Sequence, residues 1–183
     1  MSSIFKGPIA GPWRITPTGL QGDVQADPEH HGGRDMALHH YPRDHFAAWI
    51  AETPELAEPL ARAPGFGENI SMLGLTEADV CIGDSMRVGE VILQVSQGRT
   101  GWYYRVLKEG AIVQGDRFEI IDRLYPEWPL SRINDLLYHR TKAYDELAAL
   151  TELPELAAEW RKLAARRVSS RSVESWSGRL EGA

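Results

Sequence analysis

Thiols are almost absent from this chain. Of 183 residues only Cys81 carries one, which excludes an internal disulfide framework and suits a reducing compartment. With no second cysteine and no HExxH spacing, the usual zinc signatures are missing too. Long apolar runs are also lacking. No stretch approaches the roughly 20 residues of a membrane span, and the opening Met1-Ser2-Ser3-Ile4-Phe5-Lys6-Gly7-Pro8 has no apolar segment of signal-peptide length. We therefore expect a soluble, cytoplasmic protein with no membrane partner. Positive charge is in deficit: 20 lysines and arginines stand against 26 acids, and a net charge of −6 disfavours a protein that coats nucleic acid.

What is present suffices for one good core and a small satellite, with 43% of residues hydrophobic. The charge is uneven. From Glu127 to the end nine acids balance nine bases, so the whole excess lies in the first part. Within the tail Arg161, Lys162, Arg166, Arg167 and Arg171 occur with no acid among them. A solvated helix face is the expected reading, and contact with a phosphate or acidic partner is the other.

Up to about Asp122 the pattern is that of short strands punctuated by glycine turns. Met86 and Val88 alternate with polar neighbours, Gly89-Glu90 offers a tight turn, and Val91, Leu93 and Val95 resume the period of two. Trp102, Tyr104 and Val106 repeat it before Glu109-Gly110 reverses the chain, and Phe118 and Ile120 follow a Gly115-Asp116 turn. A closed or nearly closed barrel uses many short strands without leaving edges. One helix interrupts, with Pro42 in its first turn and Phe46, Trp49, Ile50 and Leu56 at helical spacing. After Asp122 helices take over: one opened by Pro129 with Ile133, Leu136 and Leu137 inward, one over residues 141–150, and one opened by Pro154 with Leu156, Trp160 and Leu163 as its apolar stripe.

Five histidines, His30, His31, His39, His40 and His45, crowd into sixteen positions. His39 and His40 are adjacent, so in a strand they point to opposite faces, and an all-protein metal site is not expected. His31 is followed by Gly32-Gly33, a backbone able to turn sharply and present N–H groups to an anion, or simply an ordinary glycine turn. Glu68-Asn69, between Gly67 and Ile70, either finishes a turn or holds a polar ligand through directed hydrogen bonds. Asp35 is a candidate proton donor or orienting group. Cys81, between apolar residues, reads as a buried strand cysteine.

The stretches His31-Gly32-Gly33-Arg34-Asp35-Met36-Ala37-Leu38, closed by Tyr41-Pro42, and Phe66-Gly67-Glu68-Asn69-Ile70 together resemble the MOSC proteins, in particular their YiiM-type branch. The likeness runs from Leu20-Gln21-Gly22-Asp23 through Ile82-Gly83-Asp84 and Gln94-Val95-Ser96-Gln97 into the helical tail. It implies a mainly β (α+β) fold: a MOSC-type β-barrel with one packed helix over residues 1–125 and a small three-helix region over residues 126–183. It implies the molybdenum cofactor (molybdopterin) and a reductase of N-hydroxylated compounds, such as hydroxylaminopurine-type bases, in a detoxifying role. A non-catalytic cofactor or sulfur carrier is the alternative. By resemblance His31, Gly32, Gly33, Asn69, Ser96 and Gln97 would bind the cofactor, with Asp35 and Glu68 as catalytic acid or orienting groups. Electrons would come from a separate donor protein, since no flavin, nicotinamide or iron–sulfur motif is present; the oligomeric state stays open, a homodimer included.

In the family the functional cysteine is expected in a proline- and arginine-containing segment directly after the strand resembling Gln94-Val95-Ser96-Gln97. Here Gln97 runs straight into Gly98-Arg99-Thr100-Gly101-Trp102-Tyr103-Tyr104, which resembles a part of the pattern beyond that cysteine. We expect residues to be missing between Gln97 and Gly98; residues 98–101 also read as a hairpin loop. Were the loss genuine, a molybdenum-ligating enzyme would be hard to defend.

Overall fold

The computed structural model describes residues 11–23 and 32–174. Among the described residues nine strands form: β1 (Trp13–Thr16), β2 (Gly19–Leu20), β3 (Leu38–Pro42), β4 (Ile70–Met72), β5 (Ser85–Val88), β6 (Val91–Arg99), β7 (Gly101–Lys108), β8 (Gly110–Ile112) and β9 (Phe118–Asp122). Four α-helices join them: α1 (Phe46–Glu52), α2 (Leu130–Tyr138), α3 (Tyr144–Thr151) and α4 (Ala158–Ser170). The six-stranded sheet runs β4-β3-β7-β6-β5-β9 and curls into a half-barrel, and the three-stranded sheet runs β2-β1-β8. The fold is mixed α and β, as expected. No helix among the described residues is long and apolar enough to cross a membrane.

The alternation in sequence becomes register in the sheet. Val88 pairs with Val91 across a two-residue turn whose Gly89 sits at φ 55°, a left-handed value that glycine takes without strain. Strand β7 pairs with β6 on one side and β3 on the other. Glu109-Gly110 is not the hairpin turn expected. Strand β8 leaves the large sheet and pairs with β1 instead, so the chain crosses between sheets there.

Strand β6 departs from simple alternation. Residues 93–98 are all buried, because the barrel interior covers one face and the helices cover the other. The apolar stripe of α2, Ile133, Leu136 and Leu137, packs into the same continuous core as Val95, Trp102 and Tyr104. The helical boundaries shift from expectation. Pro42 ends β3 and α1 begins at Phe46 after a 3-10 turn. Pro154 lies in a turn, and α4 starts only at Ala158. Leu156 is buried ahead of that helix, while Trp160 and Leu163 are half-buried. Arg167, expected on a solvated face, is 1% exposed, and its guanidinium donates to Leu137 O at 2.8 Å and to the Glu174 carboxylate at 2.5 and 3.0 Å. A buried guanidinium needs such a partner, and it closes the tail onto α2.

The chain is continuous at Gln97-Gly98, contrary to the expected gap. Gln97 pairs with Tyr103, Gly98 with Trp102 and Arg99 with Gly101, so a tight hairpin stands where the family's cysteine segment is expected. Its far side is pressed against β3: Gly101 has φ 77°, and a Cβ there would lie 2.1 Å from His40 O. At Gly115, φ 93°, a Cβ would meet nothing within 4 Å. Gly115→Ala is therefore expected to cost only the left-handed penalty of about 1–2 kcal/mol, and Gly101→Ala distinctly more, by urea unfolding of both variants. Equal costs would contradict the close approach of β7 to β3.

His40 lies inside the barrel at 0% exposure, its ring 4.1 Å from Trp102 and its Nδ1 3.0 Å from the Tyr104 hydroxyl. Burial, with His39 nearby, lowers its pKa from 6.5 to about 3. The unfolded chain thus binds a proton between those values that the folded chain refuses. Stability is full above pH 6.5 and falls on acidification by about 1.4 kcal/mol per pH unit. His40→Gln should remove that slope between pH 6.5 and 5, measured by urea unfolding; an unchanged slope would mean that His40 charges in place.

Candidate functional site

The polar residues singled out in the sequence are distributed over two cavities rather than one. The first, of about 530 Å3, lies between the 32–36 loop, the end of β6 and the start of α4, and is lined by Gly32, Gly33, Asp35, Gln97, Arg99 and Trp160, among others. Three local features make it receptive to an anion or a polar ring edge. Gly33, at φ 94°, swings the backbone into a 3-10 turn with nothing within 4 Å of where its side chain would be. Helix α4 has Ala157 as its N-cap, which provides no side-chain cap; the Ala157 N–H goes to Ser96 O at 2.8 Å and the Trp160 N–H to Ala157 O at 3.0 Å, which leaves the N–H groups of Ala158 and Glu159, both on the cavity lining, without a partner among the described residues. The Gln97 amide is 5% exposed and makes no hydrogen bond among the described residues.

Ser96 builds this cavity without lining it. Its hydroxyl lies 2.5 Å from Asp35 O and 3.0 Å from Tyr103 O, and its own carbonyl accepts the Ala157 N–H at 2.8 Å. One bulged residue thus ties the 32–36 loop, β7 and α4 to one point. The Asp35 carboxylate takes Arg105 in a two-nitrogen grip, Nε at 3.0 Å and Nη2 at 2.8 Å, and Arg105 also donates to Gln94 at 3.1 Å.

The second cavity is inside the barrel and takes Asn69. Its Oδ1 accepts the His39 N–H at 2.9 Å, its Nδ2 donates to Asp23 at 2.8 Å, and its backbone N–H reaches His39 O at 2.8 Å. Glu68 turns away from both cavities: at 3% exposure its carboxylate accepts the N–H groups of Gly65 and Phe66 at 3.1 and 2.8 Å, bracing its own loop. His31 and His30 lie outside the described residues. His39 and His40 point to opposite faces as the strand demands: His39 stacks on Tyr103 at 4.7 Å, and His40 enters the core. His45 bonds Glu77 at 2.7 Å. Among the described residues no group of three His, Cys, Asp or Glu side chains could hold a metal.

Sequence reasoning missed Arg34, Arg99, Arg105 and the α4 N-terminus. The arginines carry no local pattern, and a helix end 60 residues downstream becomes part of a site only by folding. Cys81 is buried at 3%, its Sγ 3.7 Å from Pro126 O, in a segment bridged to Pro129 and lining neither cavity. Burial, and then the Asp84 charge, push its thiol pKa up. A chromogenic disulfide reagent at neutral pH should therefore label native protein at least about tenfold more slowly than urea-unfolded protein. Rapid native labelling would show the thiol to be accessible and reactive after all.

Comparison with known proteins agrees with this architecture. Residues 27–100 match the MOSC domain family and residues 128–171 match the YiiM-like 3-alpha helix domain family. The chain is 34% identical to Protein YiiM of Escherichia coli (strain K12), covering 99% of this chain and 91% of that protein. The alignment spans 205 positions, more than the 183 residues present here, so the relative carries internal residues without counterpart in this chain. The crystal structure of YiiM from Escherichia coli superposes with a TM-score of 0.84 at 30% identity, over 94% of this chain and 92% of that one. A protein named Reductase from Gibberella moniliformis (strain M3125 / FGSC 7600) is 34% identical over 84% of this chain, which spans only 31% of that longer protein. With both family regions in order and whole-length likeness to YiiM, this chain belongs to the YiiM-like MOSC family.

Proposed function

We propose that this chain is a molybdenum-cofactor-binding protein that holds the cofactor by its phosphate and pterin edges, without a protein thiolate on the metal. Membership of the MOSC family, which is associated with this cofactor, supports the first half. The observation that carries the rest is the meeting, in one cavity of about 530 Å3, of the Gln97 amide, which makes no side-chain hydrogen bond among the described residues, with the start of α4, where the Ala158 and Glu159 N–H groups have no cap, while the single thiol lies elsewhere. Phosphate suits a helix N-terminus and glycine-backed amides, and the Gln97 amide can both donate to and accept from a pterin edge. Gly32, Gly33 and Gln97 would hold the group, with Arg34 and Arg99 adding positive charge. The metal's thiolate is not supplied, so we derive no redox step from these residues. A holding and transfer role follows: the protein keeps the cofactor soluble and passes it on.

A second reading is a reductase, which the relative named Reductase favours; the family resemblance adds N-hydroxylated compounds such as hydroxylaminopurine-type bases as its substrates. The reaction takes two electrons and two protons, breaks an N–O bond and releases water, and the electrons would come from a separate donor protein. Asp35, held by Arg105, is a carboxylate of the cavity lining available for orientation. When bound, the cofactor would supply the redox chemistry.

Anaerobic titration with purified cofactor, followed by desalting and molybdenum analysis, tests the first reading. Gln97→Leu and Gly33→Val should each weaken retention about tenfold or more, near 1.4 kcal/mol, while Cys81→Ser leaves it unchanged. Retention lost in Cys81→Ser but kept in the other two would overturn the assignment. Turnover of a hydroxylamine with a viologen donor would establish the reductase instead.

A further inference from the structure

The half-barrel is not filled to its mouth. Between the three-stranded sheet and the edges of the six-stranded sheet lies a cavity of about 330 Å3, in the size range of small-molecule sites. Ile15, Leu38 and Val88 form its aliphatic floor, Trp13 and Phe118 give it two aromatic walls, and Ser71 comes from β4. Two polar atoms on these lining side chains, Trp13 Nε1 and Ser71 Oγ, are shut off from solvent and have no hydrogen-bond partner. Among the other polar groups of the lining, Asn69 is committed to His39 and Asp23 and Asp116 to the Val113 N–H at 2.8 Å in its turn, while Gln114 is exposed in that turn. Behind Phe118, His40 Nε2 is a third buried atom without a partner. Native interiors seldom keep unpaired polar atoms without a use, because each forfeits its hydration and gains nothing.

An indole N–H and a hydroxyl left without partners on side chains of a mainly apolar cavity define the missing complement. We propose that this cavity is a second ligand site, independent of the cofactor reading, for a small, flat, uncharged heteroaromatic molecule bearing a carbonyl. The carbonyl oxygen accepts the Trp13 Nε1–H and the ring lies among Trp13, Phe118 and the aliphatic floor. A ring N–H beside the carbonyl donates to Ser71 Oγ. A charged ligand is disfavoured because the cavity offers it no uncommitted ionic partner, and an isolated charge in so apolar a slot is costly.

The probe is 2-quinolone, which has the carbonyl and the ring N–H, against naphthalene, which has the shape and neither. Binding is followed through indole resonances of 15N-labelled full-length protein, with the Trp13 signal identified by its loss in Trp13→Phe. We expect saturable binding of 2-quinolone, a shift of the Trp13 indole N–H on saturation, and an affinity about tenfold or more above that of naphthalene. In Trp13→Phe the preference should collapse while naphthalene still binds, showing an intact cavity. Ser71→Ala should reduce the preference by a smaller factor and serves as the test where Trp13→Phe does not fold. No saturable binding of 2-quinolone, equal affinity for the two probes, or a preference untouched by both substitutions would each overturn the proposal.

Discussion

Everything at the candidate site hangs on the burial of β6 from both faces. A strand so covered cannot shift its register without moving apolar residues out of one core and polar ones into another. The bulge between Val95 and Gln97 is therefore a fixed feature: Val95 still pairs with Tyr104, Gln97 with Tyr103, and Ser96 is the extra residue. That extra residue is the one that grips Asp35 O with its hydroxyl and the Ala157 N–H with its carbonyl. The 32–36 loop and the start of α4, distant in sequence, are thus set against each other by a single position of one strand. The cavity between them is a consequence of the fold rather than of a local motif.

This explains which features could be read in the sequence and which could not. The Val88–Val91 hairpin, the α2 stripe and the opposed faces of His39 and His40 depend on periodicity and turn chemistry within a few residues, and all are where the pattern puts them. The end of β6 breaks the pattern because it is covered twice, which no local window records. Arg167 looked like one of several solvated cations; its burial depends on Leu137 and Glu174 coming together around it. Asn69 and Gln97 belong together by their chemistry and by resemblance, yet the turn before β4 places Asn69 on the barrel cavity and the end of β6 leaves Gln97 beside α4. Crossing between sheets at Gly110 was read as a turn because a reversal and a crossover begin with the same residues.

The hairpin at residues 99–101 narrows the chemistry open to this member of its family. Gly101 sits so close to β3 that the hairpin is part of the packed sheet, not a slack remnant of a longer loop. A chain with its thiol under Pro126 and a tight hairpin in place of a ligand-bearing segment keeps Gly33 and Gln97 on one cavity and places no thiolate there to act as a soft metal donor. Backbone geometry and a soft donor are separable contributions in such a site, because the first depends on Gly33 and the start of α4 and the second on a side chain that this cavity does not hold.

Net charge would at first argue against an anionic ligand, since the first part of the chain carries the whole acidic excess. The field inside a cavity, however, is set by what lines it and by how those groups are paired. Asp35 is neutralised by Arg105 and Glu159 by Lys162 at 2.7 Å, so the two acids of the lining are both spoken for. The same lining holds the start of α4, Gly33 and the Gln97 side chain, together with Arg34 and Arg99. An acidic chain thus has a cavity whose described lining balances two arginines, Arg34 and Arg99, against two carboxylates, Asp35 and Glu159, each of them paired.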